Sequence, residues 1–135
     1  MNISQQVVIL SAERFNESEA FNWFRTNRLE NMLQDLNLSY SKAQGHWDGG
    51  HEESFVVIVN NKAEIDTLKD FAFKSFDQEA ILHQDSNQMA HIISKDNSIK
   101  MIGRLEQVNP KSIETLDDYT IMNGQVYTVV TKGII

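Results

Sequence analysis

The chain has 135 residues and a formal charge of −7, with a sequence pI near 5.0, so no cationic excess is present to displace counterions from a nucleic-acid backbone. It has no cysteine, which removes disulfides, thiolate nucleophiles and sulfur-bound zinc, and its start lacks the basic region of a signal peptide. No run of about eighteen apolar residues marks a membrane span, and a single cytoplasmic domain over residues 1–135 is expected, with 41% hydrophobic residues to fill one core.

The nineteen acidic residues are scattered, with adjacent pairs only at Glu52-Glu53 and Asp117-Asp118. Acidity spread in this way serves solubility, or a basic partner, before it imitates DNA.

Residues 7–12 form a short, β-branched apolar run with the length of a buried first strand. Asn16 offers a helix N-cap with Glu19 in the capping-box position, and the helix should reach about Leu36. Its buried stripe is Leu29, Met32, Leu33 and Leu36. Carried back toward the N-terminus, that stripe takes in Asn22 and Arg25, where an amphipathic helix would carry leucine. A guanidinium facing a core needs acceptors, and Glu52 is the expected one.

Residues 38–48 look extended and end in the loop Gly45-His46-Trp47-Asp48-Gly49-Gly50. The segment 53–59 reads as a central strand, since Phe55, Val57 and Val59 point one way, Val56 and Ile58 the other, and both faces want cover. Asn61 caps a second helix with Glu64 in the capping-box position, and Ile65, Leu68, Ala72 and Phe76 supply its stripe. Strands are expected at 80–83, 89–94 and 99–105, the first two joined by the turn at 85–88. After Pro110 and a short helical turn, Asn123-Gly124 sits between two β-rich arms as a type I′ hairpin signal. The order strand, helix, strand, strand, helix, strand predicts an α+β fold: a ferredoxin-like split β-α-β core (β-α-β-β-α-β) extended by further antiparallel strands and a C-terminal hairpin.

His46, Asp48, His51, Glu52 and Glu53 carry metal-ligand chemistry, but Gly49 and Gly50 deny His46 and His51 a rigid scaffold. They are weak candidates; no metal and no cofactor are expected. Trp47 is a candidate stacking surface beside a strand end. Ser54 lacks a nucleophile elbow, and neither a phosphate-binding P-loop nor a GxGxxG turn is present.

Asn22, Arg25, Leu29 and Leu33, then Gly45, Trp47 and the run 52–57 (EESFVV), then 76–81 (FDQEAI), resemble a family of small phage and bacterial proteins known only as a domain of unknown function. The tail with Tyr119, Thr120, Ile121, Tyr127 and Val129 is similar to its phage members, and the likeness spans residues 11–130. The resemblance implies a phage setting and no activity. It points to Asn22, Arg25, Glu52, Ser54 and Gln78 as the polar set.

The leading expectation is a small acidic binding protein that occupies a host protein, in host interaction or counter-defence, or captures a small anionic, nucleotide-like ligand. The alternative is a nucleotide or phosphodiester hydrolase, with Arg25 on phosphate and Glu52 or a histidine as general base. A third reading makes Asn22, Arg25, Glu52 and Gln78 a buried polar network that specifies the fold.

Overall fold

A computed structural model describes residues 5–47, 50–116 and 118–130. The strands are β1 (Val7–Leu10), β2 (Tyr40–Trp47), β3 (Gly50–Ile58), β4 (Ala80–Gln84), β5 (Met89–Ser94), β6 (Ile99–Val108), β7 (Asp118–Met122) and β8 (Gln125–Val130). The helices are α1 (Glu19–Asp35) and α2 (Lys62–Asp70), the latter running on into a π-helical turn at Phe71–Ser75. A 3-10 turn, Pro110–Thr115, precedes β7.

Among the described residues the strands close into an antiparallel barrel in the order β1-β3-β2-β7-β8-β6-β5-β4, with β4 returning to β1. The ferredoxin-like α+β sandwich expected from the order of elements is therefore wrong. Such a sandwich ends in two open sheet edges. Here β2 pairs with β7 and β4 with β5, so the added strands consume both edges.

Strand alternation divides the apolar residues between two cores. Val8 and Leu10 of β1 and Phe55 and Val57 of β3 face outward and pack with Leu29 and Leu33 of α1 and Leu68 of α2. Val7, Ala43, Val56, Leu105, Met122 and Tyr127 face inward and fill the barrel. Both faces of β3 are covered, as its sequence predicts.

Local signals explain most of the boundaries. The α1 N-cap is Ser18, whose Oγ accepts the Phe21 N–H at 3.1 Å, rather than Asn16, which turns back to accept from Arg14 Nε at 3.3 Å. Asn61 caps α2 as expected, accepting the Glu64 N–H at 2.9 Å. Asn123 and Gly124 have φ of 52° and 75°, the left-handed pair that a type I′ turn demands. Gly103 has φ of 142° on β6, beside the irregularity in the β5–β6 register, and a Cβ there would lie 2.5 Å from the Val130 carbonyl oxygen. No described helix is long and apolar enough to cross a membrane.

Candidate functional site

The register sets inward-facing residues from neighbouring strands in one lateral row at one end of the barrel. Glu52 of β3 pairs with Gly45 of β2, Gly45 with Thr120 of β7, and Thr120 with Tyr127 of β8. Direct partners share a face of the sheet. Because Gly45 has no side chain, the row is open between Glu52 and Thr120, and a ligand can rest against the β2 backbone.

Above this row lies a cavity of about 790 Å³, in the size range of small-molecule sites. Ile9, Leu82, Ile92, Ile102, Leu105 and Val129 give it apolar walls, and Ser11, Glu52, Ser54, Asp118, Thr120 and Thr128 give it polar groups. Two carboxylates and no lysine or arginine are among its described lining residues. Toward the other end Val7, Val56 and Met122 are buried in the barrel core. The buried Gln84 there donates from Nε2 to the Gln5 carbonyl oxygen at 2.8 Å.

Glu52 is held by its neighbours in the chain. Ser11, just past the end of β1, donates its hydroxyl to the Glu53 carbonyl oxygen at 2.7 Å and accepts the Glu13 N–H at 3.1 Å. Glu13 Oε1 in turn accepts the Glu53 N–H at 2.5 Å. Both polar groups of the Glu53 backbone are thus fixed by side chains where the β1–β3 ladder ends, and the adjacent Glu52 projects into the cavity from an ordered strand. Burial and the negative charge of Glu13 push the Glu52 carboxyl up to about 7, against the opposing pull of the Ser11 hydroxyl.

Arg25, Asn22 and Gln78 go elsewhere. Arg25 donates from Nε to the Ala12 carbonyl oxygen at 2.6 Å and from a terminal nitrogen to the Phe76 carbonyl oxygen, so its acceptors are main-chain groups and not Glu52. Asn22 exchanges two hydrogen bonds with the Arg14 backbone, at 2.9 and 2.8 Å. Gln78 Nε2 donates to the Glu13 carbonyl oxygen at 2.8 Å. Arg25 and Gln78 thus tie the segment after β1 to the segment before β4, and Asn22 fastens the former to α1. Ser54 lines the cavity one inward position below Glu52.

His46 and His51 are cross-strand partners on the opposite face from Glu52, and the His46 ring stacks on Tyr119 with centroids 4.6 Å apart. No cluster of three or more histidines and carboxylates arranged for a metal ion occurs among the described residues. The Trp47 side chain, Asp48 and Gly49 lie outside the described residues. Sequence reasoning missed Ser11, Glu13, Asp118 and Thr120. The two-residue turn at Asn123-Gly124 already implies that Thr120 faces Tyr127, but nothing local reveals that β7 joins β2.

The sequence matches the S-adenosylmethionine lyase family over residues 8–130. The chain belongs to the S-adenosylmethionine lyase family. None of the curated proteins matches it. A family match over nearly the whole span of the resemblance is thus found, while the domain of unknown function that the motifs resemble is not confirmed by it, and the match corrects the functional expectations. A family of enzymes overturns the reading of a non-enzymatic binding protein, and a lyase does not support the nucleotide or phosphodiester hydrolase either. The phage setting came only with that resemblance, and neither it nor host interaction finds support in the match.

Proposed function

We propose that this protein cleaves S-adenosylmethionine inside the barrel, breaking the bond from the sulfonium sulfur to the aminoalkyl chain without consuming water. One observation carries the reading beside family membership: the described lining of the cavity has Glu52 and Asp118 and neither lysine nor arginine. S-Adenosylmethionine bears a sulfonium and an ammonium against one carboxylate, so it is a cation overall and suits such a site better than the anionic ligand expected from the sequence.

The chemistry asks little of the protein in the way of proton transfer. When the S–Cγ bond breaks, both electrons go to sulfur and neutral 5′-methylthioadenosine leaves without a proton. The vacated carbon gains a bond from an oxygen of the substrate's own carboxylate, which closes a five-membered lactone. Positive charge on sulfur and negative charge on the carboxylate disappear together. Such a step is favoured where water is excluded, which the walls of Leu82, Ile92, Ile102 and Leu105 provide. Ionised Glu52 binds and orients the cation, a contribution to KM more than to kcat. A cytoplasmic setting belongs to the same proposal.

The test is to incubate the protein with S-adenosylmethionine in water enriched in oxygen-18 and follow products by chromatography and mass spectrometry. Methylthioadenosine together with an unlabelled lactone is expected at early times. Intact substrate, or homoserine carrying the heavy label from the first time point, would sink the reading.

A further inference from the structure

Glu52 and Asp118 stand on β3 and β7, separated by β2, so their strands lie about 10 Å apart across two sheet spacings. The positions are not equivalent. Glu52 is half-buried among apolar walls, whereas Asp118 is exposed at the rim, its own carbonyl oxygen accepting from the Thr128 hydroxyl at 2.8 Å. A sulfonium is weakly hydrated and loses little on entering an apolar site, while an ammonium is strongly hydrated and favours a partner open to water.

The guanidinium groups near the mouth are already committed. Arg14 is bound to Asp77 at 2.6 Å, and Arg25 to the carbonyl oxygens of Ala12 and Phe76. A carboxylate on a ligand therefore meets no lysine or arginine among the described lining residues, while carboxylates are present for its positive charges.

We propose that the cavity selects nucleoside ligands by positive charge, with Glu52 reading the sulfonium, Asp118 reading the ammonium, and the ligand's carboxylate left unrecognised. The proposal rests on S-adenosylmethionine as substrate but goes beyond it. The cavity should discriminate against the uncharged thioether S-adenosylhomocysteine and accept ligands that lack the carboxylate altogether. Leaving the carboxylate without a partner also leaves it free to attack Cγ.

Calorimetric titration of the intact protein with three ligands tests this. Sinefungin, which has a protonated amine at the position of the sulfonium, should bind at least about tenfold more tightly than S-adenosylhomocysteine. Decarboxylated S-adenosylmethionine should bind at least as tightly as sinefungin. Glu52→Gln should erase the first difference, and Asp118→Asn should weaken the decarboxylated ligand. Equal binding of sinefungin and S-adenosylhomocysteine, loss of binding on decarboxylation, or no binding by any of the three overturns the proposal. The two wild-type comparisons need no variant to fold. Absence of cleavage with the charge order intact would remove the lyase reading alone, whereas cleavage without the charge order would remove only this one.

Discussion

Ser11 donates its hydroxyl to the carbonyl oxygen of Glu53 at 2.7 Å, one residue beyond the last ladder pair between β1 and β3, Leu10 with Phe55. A side chain thus continues a backbone ladder at the rim of the cavity, next to the carboxylate of Glu52 that lines it. Ser11→Ala removes that donor and also the acceptor for the Glu13 N–H. A loss of about 1–2 kcal/mol in a urea melt is expected, with a raised KM for S-adenosylmethionine. An unchanged KM would mean that Glu52 is positioned without Ser11.

Arg25 is a structural residue by its contacts. Its partners are two carbonyl oxygens on segments joined by no ladder, and burial, together with the nearby positive charge of Arg14, lowers its pKa from the usual value. Arg25→Ala should cost about 1.5–3 kcal/mol, the range for charged hydrogen bonds, and Arg25→Lys should recover only part because one ammonium cannot reproduce the fork. Denaturant melts of both variants give the comparison. A lysine variant as stable as the wild type would show that charge alone suffices.

What was legible in the sequence was local. The Asn61 cap, the I′ turn at Asn123-Gly124 and the two-faced burial of 55–59 depend on neighbouring residues, and all are present in the fold. Closure of the barrel depends on β2 meeting β7 and β4 meeting β5. The β2–β7 pairing joins segments more than seventy residues apart, and no periodicity within either strand encodes it. The same limit applied to the site. The misplaced polarity of Asn22 and Arg25 marked a real network, but it binds two loops together. Glu52 was visible as a candidate, while its counterpart Asp118 reaches the cavity only through the β2–β7 pairing.

Gly103 gives a test of the barrel closure itself. Its φ of 142° is outside the range of L side chains, and an added Cβ would meet the Val130 carbonyl oxygen at 2.5 Å and Val129 Cγ1 at 2.9 Å. Both contacts are backbone or partly buried wall on β8, so relief requires β6 and β8 to move apart. Gly103→Ala should destabilise by about 2 kcal/mol or more and loosen the wall formed by Leu105 and Val129. Hydrogen exchange of the β6–β8 amides measures this, and protection equal to the wild type would argue against the tight crossing.

Glu52 ties stability and binding to pH in opposite directions. Its carboxyl rises from 4.5 to about 7 on folding, chiefly by burial and then by the charge of Glu13. The folded state therefore holds more protons than the unfolded one between those values. The associated stability is fully present below 4.5 and is lost as pH rises through about 7. Glu52→Gln should then leave stability nearly unchanged at about pH 3.5 and raise it by about 1–3 kcal/mol at about pH 8, where the wild type carries an unfavourable partly buried charge. Binding runs the other way, because only the ionised carboxylate attracts a cation: KM for S-adenosylmethionine should fall as pH rises through about 7, and that dependence should vanish in Glu52→Gln. Urea melts at the two pH values and initial rates across the range provide the measurements. A variant no more stable than the wild type at high pH would show that the carboxylate is solvated in the free protein. A KM profile unaltered by the substitution would assign the titration to another group.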